Sequence, residues 1–286
     1  MIHGPIFIIG SERSGTTLLY NILATHPDVC WFSAITDRFQ SLPEIAFIHR
    51  IVDVPVLGPY IKRLILKATK GHHLIISPRE GASIYYAHFT NDRRLTERDL
   101  VKSKEISFKK IISAHLQMTG KPRFLTKRPM NIQRIRLLNA MFPDAYFIHI
   151  IRDGRAAASS FFQTSWWRDH DFWWLGQQKR SGRSTKDPVA LCALHWRNTV
   201  AEVLCNKALL KTRYKEIRYE SFVQDVRGTV AAILNFCNLR QDKQYLESLP
   251  MSVPNMNYKW KELLTITQQK ILIHTLQKTL IKLGYN

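Results

Sequence analysis

Apolar residues along this chain fall into short runs separated by helical stretches, a pattern that predicts alternating strands and helices. Ile6, Phe7, Ile8 and Ile9 form a run of the length and β-branched content of a buried strand. Gly10 to Gly15 supply a polar turn, and Thr16, Thr17, Leu18, Leu19, Ile22 and Leu23 follow at helical spacing. His26-Pro27-Asp28 breaks that helix, and residues 29–32 read as a second strand, so the unit is β-α-β and its sheet is parallel. A second unit ends on the similar break Phe142-Pro143-Asp144: strand 123–126, turn Lys127-Arg128-Pro129, helix 131–141. Residues 145–151 form the strongest strand signal, and Asp153 is placed to cap the helix over 156–162. A long helix over 188–210, a last strand over 216–219 and helices over 220–236 and 267–283 complete the pattern. The expectation is an α/β fold in three layers, a central parallel sheet between helices, in one domain over residues 1–286.

Two stretches interrupt this rhythm, 37–104 and 161–187, and surface insertions of this kind often carry binding segments. Within the first, residues 61–68 have helical periodicity with Lys62, Arg63 and Lys67 on the polar side. That pattern fits a core-packed amphipathic helix or one lying on a membrane surface. Residues 77–104 read as loops and short helices, and 108–118 as a helix. Residues 161–176 hold four of the seven tryptophans, which could wall an acceptor cleft, pack in the core or form a lid. Residues 177–187 read as a flexible loop, and 255–261 as a polar, basic one.

Composition narrows the picture without deciding it. Forty-two lysines and arginines against 22 acidic residues give a formal charge of +20, which draws polyanions: a charged cofactor, an acidic acceptor, an anionic membrane surface or nucleic acid. A generally basic surface without a dedicated partner accounts for it equally well. The sequence has no helix-turn-helix, zinc-finger or RNP signature, so nucleic acid is not the expected partner. Cys30, Cys192, Cys205 and Cys237 lack disulfide or zinc spacing and read as reduced core thiols. No histidine grouping has zinc spacing, and His149, inside an apolar strand, reads as a satisfied core residue. With no apolar run of about 18 residues and no leader ahead of the first strand, the expected location is the cytoplasm.

The chemistry concentrates in the turn between the first strand and helix. Loop amides and the positive end of a helix dipole converge there, which makes an anion cradle. Four residues separate Gly10 from Gly15-Thr16-Thr17, nearly the spacing of a nucleotide-binding P-loop, so the expected fold is P-loop-like. The lysine of an ATP-hydrolysing loop is replaced by Thr16, and the nearby cation is Arg13, whose guanidinium can grip a phosphate or sulfate with two hydrogen bonds. A P-loop kinase or NTPase remains an alternative, with Asp153 after the 145–151 strand as a Mg²⁺ ligand; a basic nucleic-acid-binding protein is another.

Arg13-Ser14-Gly15-Thr16-Thr17-Leu18-Leu19 resembles the 5′-phosphosulfate loop of sulfotransferases that use PAPS, adenosine 3′-phosphate 5′-phosphosulfate. Ile151-Arg152-Asp153-Gly154-Arg155 through Ser160 resembles the 3′-phosphate segment of the same family, in motif style nearest its tyrosylprotein and carbohydrate branches. The resemblance implies PAPS as sulfuryl donor without a metal. Arg13, Ser14, Gly15, Thr16 and Thr17 would then hold the phosphosulfate, and Arg152, Ser160 and Tyr219 the 3′-phosphate. Lys127 resembles the family lysine that stabilises the leaving oxygen. The tyrosylprotein branch has a glutamate shortly after the second strand, where this chain has Ala34, so another base is needed. Glu80 and Asp37 are the candidates, Glu80 first. The acceptor would be a small molecule, carbohydrate, lipid or peptide bearing a hydroxyl or amine; neither its identity nor the oligomeric state is legible.

Overall fold

The computed structural model describes residues 2–67, 75–90, 93–170, 172–175 and 187–285. Five parallel strands form one sheet in the order β2-β3-β1-β4-β5: β1 (Ile6–Ile9), β2 (Val29–Cys30), β3 (Arg123–Lys127), β4 (Tyr146–Ile151) and β5 (Tyr214–Arg218). The central strand is buried throughout because both sheet faces are covered. Ile6 and Ile8 meet Leu19, Ile22 and Leu23 of α1 (Thr16–Ala24) together with Val230, Ile233 and Leu234 of α10 (Val226–Phe236). Phe7 and Ile9 point the other way, into a cluster with Phe108 and Ile112 of α5 (Lys102–Thr119) and Leu138 and Met141 of α6 (Ile135–Met141). A third cluster joins α7 (Gly154–Phe162), α8 (Pro188–Leu210) and α13 (Ile266–Lys282) through Phe161, Trp196 and Leu276. At roughly 1.5–3 kcal/mol for each large apolar side chain fully buried, the four residues of β1 alone contribute several kcal/mol towards fixing the sheet.

The remaining helices are α2 (Ala34–Arg38), α3 (Leu57–Lys67), α4 (Ala82–His88), α9 (Tyr219–Gln224), α11 (Lys243–Ser248) and α12 (Lys259–Leu263). Several elements depart from the sequence reading for local reasons. β2 stops at Cys30, because Ser33 makes a capping box with Thr36 and opens α2, a helix the sequence reading lacked. The 131–141 helix begins as a 3₁₀ segment, Pro129–Arg134, and becomes α-helical at Ile135. The 220–236 helix is two helices: the Asp225 carboxylate caps Gly228 N at 2.8 Å and Val226 N donates to Met251 O, so the chain turns there. The last strand lies over Tyr214–Arg218, and Tyr219 opens a helix.

In α3, Ile61 and Ile65 are buried in the first core cluster, as in the core-packed reading. Of the four cysteines, Cys30, Cys192 and Cys237 are buried thiols, whereas Cys205, on α8, is exposed. His149 is only half satisfied: Nδ1 meets the Tyr214 hydroxyl at 2.8 Å, while Nε2 has no partner among the described residues. The aromatic stretch divides, with Phe161, Trp167 and Phe172 in the third core cluster and Trp166 partly exposed. Most of the 177–187 loop lies outside the described residues. Among the described residues no helix is long and apolar enough to cross a membrane.

Candidate active site

The strand ends build the site. Residues 10–17 follow β1, Lys127 is the last residue of β3, Arg152 follows β4 and Tyr219 follows β5. All lie at the carboxyl edge of the sheet, where an open parallel sheet offers a crevice between neighbouring loops. The crevice is a cavity of about 360 Å³ lined by Glu12, Arg13, Gly15, Thr16, Thr17, Leu18, Glu80, Lys127, Pro129, Arg152, Trp166 and Tyr219.

The loop after β1 is held in an unusual conformation. Arg13 has φ 65° and Gly15 φ 92°, a left-handed backbone that costs a non-glycine residue free energy and recurs where function over-determines geometry. A β-carbon on Gly15 would sit 2.6 Å from the Tyr219 ring. The first helical bond of α1 runs from Leu19 N to Gly15 O at 3.1 Å, so the amides of Thr16, Thr17 and Leu18 precede it and point out of the helix end. Behind them Ser14 is buried, and its hydroxyl has no partner among the described residues.

A network joins the two halves of the crevice. Arg13 Nε donates to Ser160 Oγ at 2.9 Å, and Arg152 Nη1 donates to the Arg13 carbonyl at 2.9 Å. Arg152 Nε is held by Asn257 Oδ1 at 2.8 Å, and its guanidinium lies 4.3 Å from the centroid of the Tyr219 ring. Burial lowers the pKa of both arginines from the usual value. Arg152 is buried whereas Arg13 is exposed, so Arg152 is the guanidinium that gains most from an anion restoring its hydrogen bonds. The stretch read as a loop over 255–261, whose end from Lys259 is helix α12, thus supplies Asn257 to this side of the site, a contact its polar composition did not assign.

On the opposite wall, Lys127 Nζ pairs with Glu80 Oε1 at 2.5 Å, and Arg128 approaches the other carboxylate oxygen at 3.9 Å. Residues just beyond β2, together with Tyr20 of α1, position Glu80: Arg79 N donates to Phe32 O, Ser33 and Pro78 form an antiparallel bridge, and the Tyr20 hydroxyl donates to Arg79 O. Asp37 lies outside the cavity. Its carboxylate receives Ile84 N at 3.1 Å and Ser83 Oγ at 3.4 Å, holding the start of α4. Asp153, the alternative metal ligand, is occupied by Arg155 through contacts of 2.8 to 3.2 Å.

The sequence reading passed over Glu12. This carboxylate is largely but not fully buried, with Oε2 2.7 Å from His195 Nε2 and Oε1 3.8 Å from His170. Burial by itself raises its pKa; contact with His195, and then His170, outweighs that and holds it at about 2. The three side chains are close enough to share a metal ion. The Trp174 indole N–H, however, donates to His195 Nδ1 at 3.2 Å, which leaves the ring proton on Nε2, facing Glu12. A metal on Nε2 would push that proton against the indole N–H, so the donor set fits a hydrogen-bonded pair rather than a metal centre. The only sequence signal was an acid inside a phosphate-type loop, which calls for a partner; His195 stands 183 positions away.

The donors facing the cavity, Arg13, Thr16, Thr17, Lys127 and Arg152, fit a phosphorylated polyanion, and the orphaned Ser14 hydroxyl sits behind the same loop. Residues 5–243 match the model of the sulfotransferase family. An omega-hydroxy-beta-dihydromenaquinone-9 sulfotransferase of Mycobacterium bovis is 23% identical over 311 aligned positions, 99% of this chain and 75% of that protein. An uncharacterised Aquifex aeolicus protein is 24% identical over 85% of this chain, and the chain spans about a quarter (26%) of its length. Among solved structures, sulfotransferase STF9 from Mycobacterium avium superposes with TM-score 0.63 at 16% identity, over 100% of this chain and 78% of that one. The sulfotransferase domain of the Synechococcus olefin synthase gives 0.54 at 19%, over 100% and 96%. The fold is the P-loop-like α/β fold of these enzymes, and the chain belongs to the sulfotransferase family.

Proposed function

We propose that the chain moves a sulfuryl group from PAPS to a hydroxyl or amine of an acceptor, acting as one catalytic unit. The observation that carries this reading is the convergence of Arg13, Thr16, Thr17, Lys127, Arg152 and Tyr219 on one cavity at the carboxyl ends of four strands. PAPS supplies an activated sulfuryl group whose transfer spreads charge over the equatorial oxygens, so the protein's task is positioning and electrostatic stabilisation. The loop amides with Arg13, Thr16 and Thr17 bind the phosphosulfate end. Arg152, Ser160 and Tyr219 bind the 3′-phosphate. Lys127 stabilises the charge left on the leaving oxygen.

Glu80 takes the acceptor proton in this scheme. Its carboxylate is paired with Lys127. An anionic donor gives the lysine a new partner and frees the carboxylate, which also borders a second cleft lined by Ala34, Asp37, Arg38, Arg79 and Ala82. That cleft is the proposed acceptor approach, and Asp37 stands along it as the second candidate base. The kinase reading is weaker, because Asp153 is engaged by Arg155.

Calorimetric titration with PAP, the desulfated product, tests the reading without an acceptor. PAP should bind, and removal of its 3′-phosphate should abolish binding. Binding of ATP with Mg²⁺ in place of PAP would transfer the assignment to the kinase class.

A further inference from the structure

The 3₁₀ segment Pro43–Asp53 and helix α3 meet in a tight turn, where Gly58 N donates to Val54 O at 2.7 Å. Their inward residues, Ala46, His49 and Val52 on the first and Ile61 and Ile65 on the second, are buried. The turn between them is Val54-Pro55-Val56-Leu57, and all four residues are exposed, Val56 at 84%. Tyr60 at 63% and Phe47 at 61% extend the apolar surface along the two flanking elements. Leu42 and Phe39, also exposed, continue it along the chain back to Arg38, which lines the second cleft beside Asp37. An exposed run of four consecutive apolar residues has no role in the core and stands apart from the scattered exposed apolar side chains of an ordinary surface.

Charge identifies the occupant. From Arg38 to Lys67 the chain carries five basic residues, Arg38, Arg50, Lys62, Arg63 and Lys67, against two acidic ones, Glu44 and Asp53. Lys121 already neutralises Asp53 at 2.6 Å. An exposed apolar turn carried on elements with a basic excess is an arrangement suited to the headgroup region of an anionic bilayer, apolar side chains inserted and basic residues drawn to the lipid phosphates.

We propose that the Val54–Leu57 turn docks the protein on an anionic membrane surface. The placement fits an acceptor carried in the bilayer; that clause rests on the sulfuryl-transfer reading, whereas the docking does not.

The test is cosedimentation with vesicles of phosphatidylcholine and phosphatidylglycerol at about three to one, beside pure phosphatidylcholine. The full chain should pellet with the mixed vesicles, at least about tenfold less with the neutral ones, and less as salt is raised. Val56→Asp with Leu57→Asp should lower partitioning by about tenfold or more, at unchanged melting temperature, because both side chains are exposed. Ile266→Asp, at an equally exposed position on α13 (73%), should leave it unchanged. Equal pelleting by the tip variant, or no preference for anionic vesicles, overturns the proposal. So does a concentration-dependent dimer in sedimentation velocity that the tip variant dissolves, since a second copy would then cover the turn. PAP titration of the parent chain and of the tip variant keeps the two readings separate: docking by a parent chain that does not bind PAP would refute the cofactor assignment alone.

Discussion

Arg13 and Arg152 are coupled, because Arg152 holds the Arg13 carbonyl while Arg13 holds Ser160. Removing either guanidinium deletes charge-assisted hydrogen bonds worth roughly 1.5–3 kcal/mol each and loosens the other's frame. Arg13→Ala and Arg152→Ala are therefore each expected to weaken PAP binding by about ten- to a hundredfold or more in calorimetry; unchanged affinity in both would refute the site assignment. Lys127→Ala should behave differently. In the proposed scheme it acts on the leaving oxygen, so turnover should drop by about a hundredfold or more while PAP affinity moves by less than about tenfold. These cations were legible in the sequence because each directly follows a strand or lies in the glycine-bounded loop. Glu12 was not, because its counterpart His195 and the Trp174 N–H that orients it come from elements that only the tertiary fold brings together.

At the scale of elements, legibility followed burial. β1 and β4 lie between two covered faces, so their apolar runs carry a strong signal, and the helix after β1 shows its spacing for the same reason. Boundaries set by one side chain or one tertiary bond were hidden: the Asp225 cap between α9 and α10, and the Ser33–Thr36 box that ends β2 and starts α2. Such caps are worth about 1 kcal/mol, enough to choose a boundary but too little to mark the composition. The loop before α1 lets a boundary be tested. With φ 92° at Gly15 and the Tyr219 ring 2.6 Å from an added β-carbon, Gly15→Ala must shift either the loop or the ring. The expected cost is about 1–3 kcal/mol of stability in denaturant unfolding, together with weaker PAP binding. A variant matching the parent in both would show that the left-handed turn is dispensable.

For the molecule as a whole, the buried histidines set the response to acid. Burial holds His49 and His149 at about 3 and His115 at about 4, against a usual value near 6.5. Each is neutral in the folded state at neutral pH. Between the unfolded and folded values the unfolded chain binds protons that the folded chain refuses, so stability is complete above about pH 6.5 and falls as pH drops. Three such groups give a slope of up to about 4 kcal/mol per pH unit, a large share of the roughly 5–15 kcal/mol that holds a typical domain. Glu12 acts in the same direction lower down, its contribution being lost from about 4.5 towards about 2. Urea unfolding at a series of pH values should therefore show steep destabilisation from about pH 6 to 4, and His115→Leu should reduce the slope by about a third. The basic surface adds to this as the acidic residues protonate, since a charge already at +20 then grows. That repulsive part is screened by salt, whereas the cost of protonating a buried imidazole is not, so the slope should persist at high ionic strength if the histidines govern it. A slope that disappears in salt would assign the acid response to the surface charge instead.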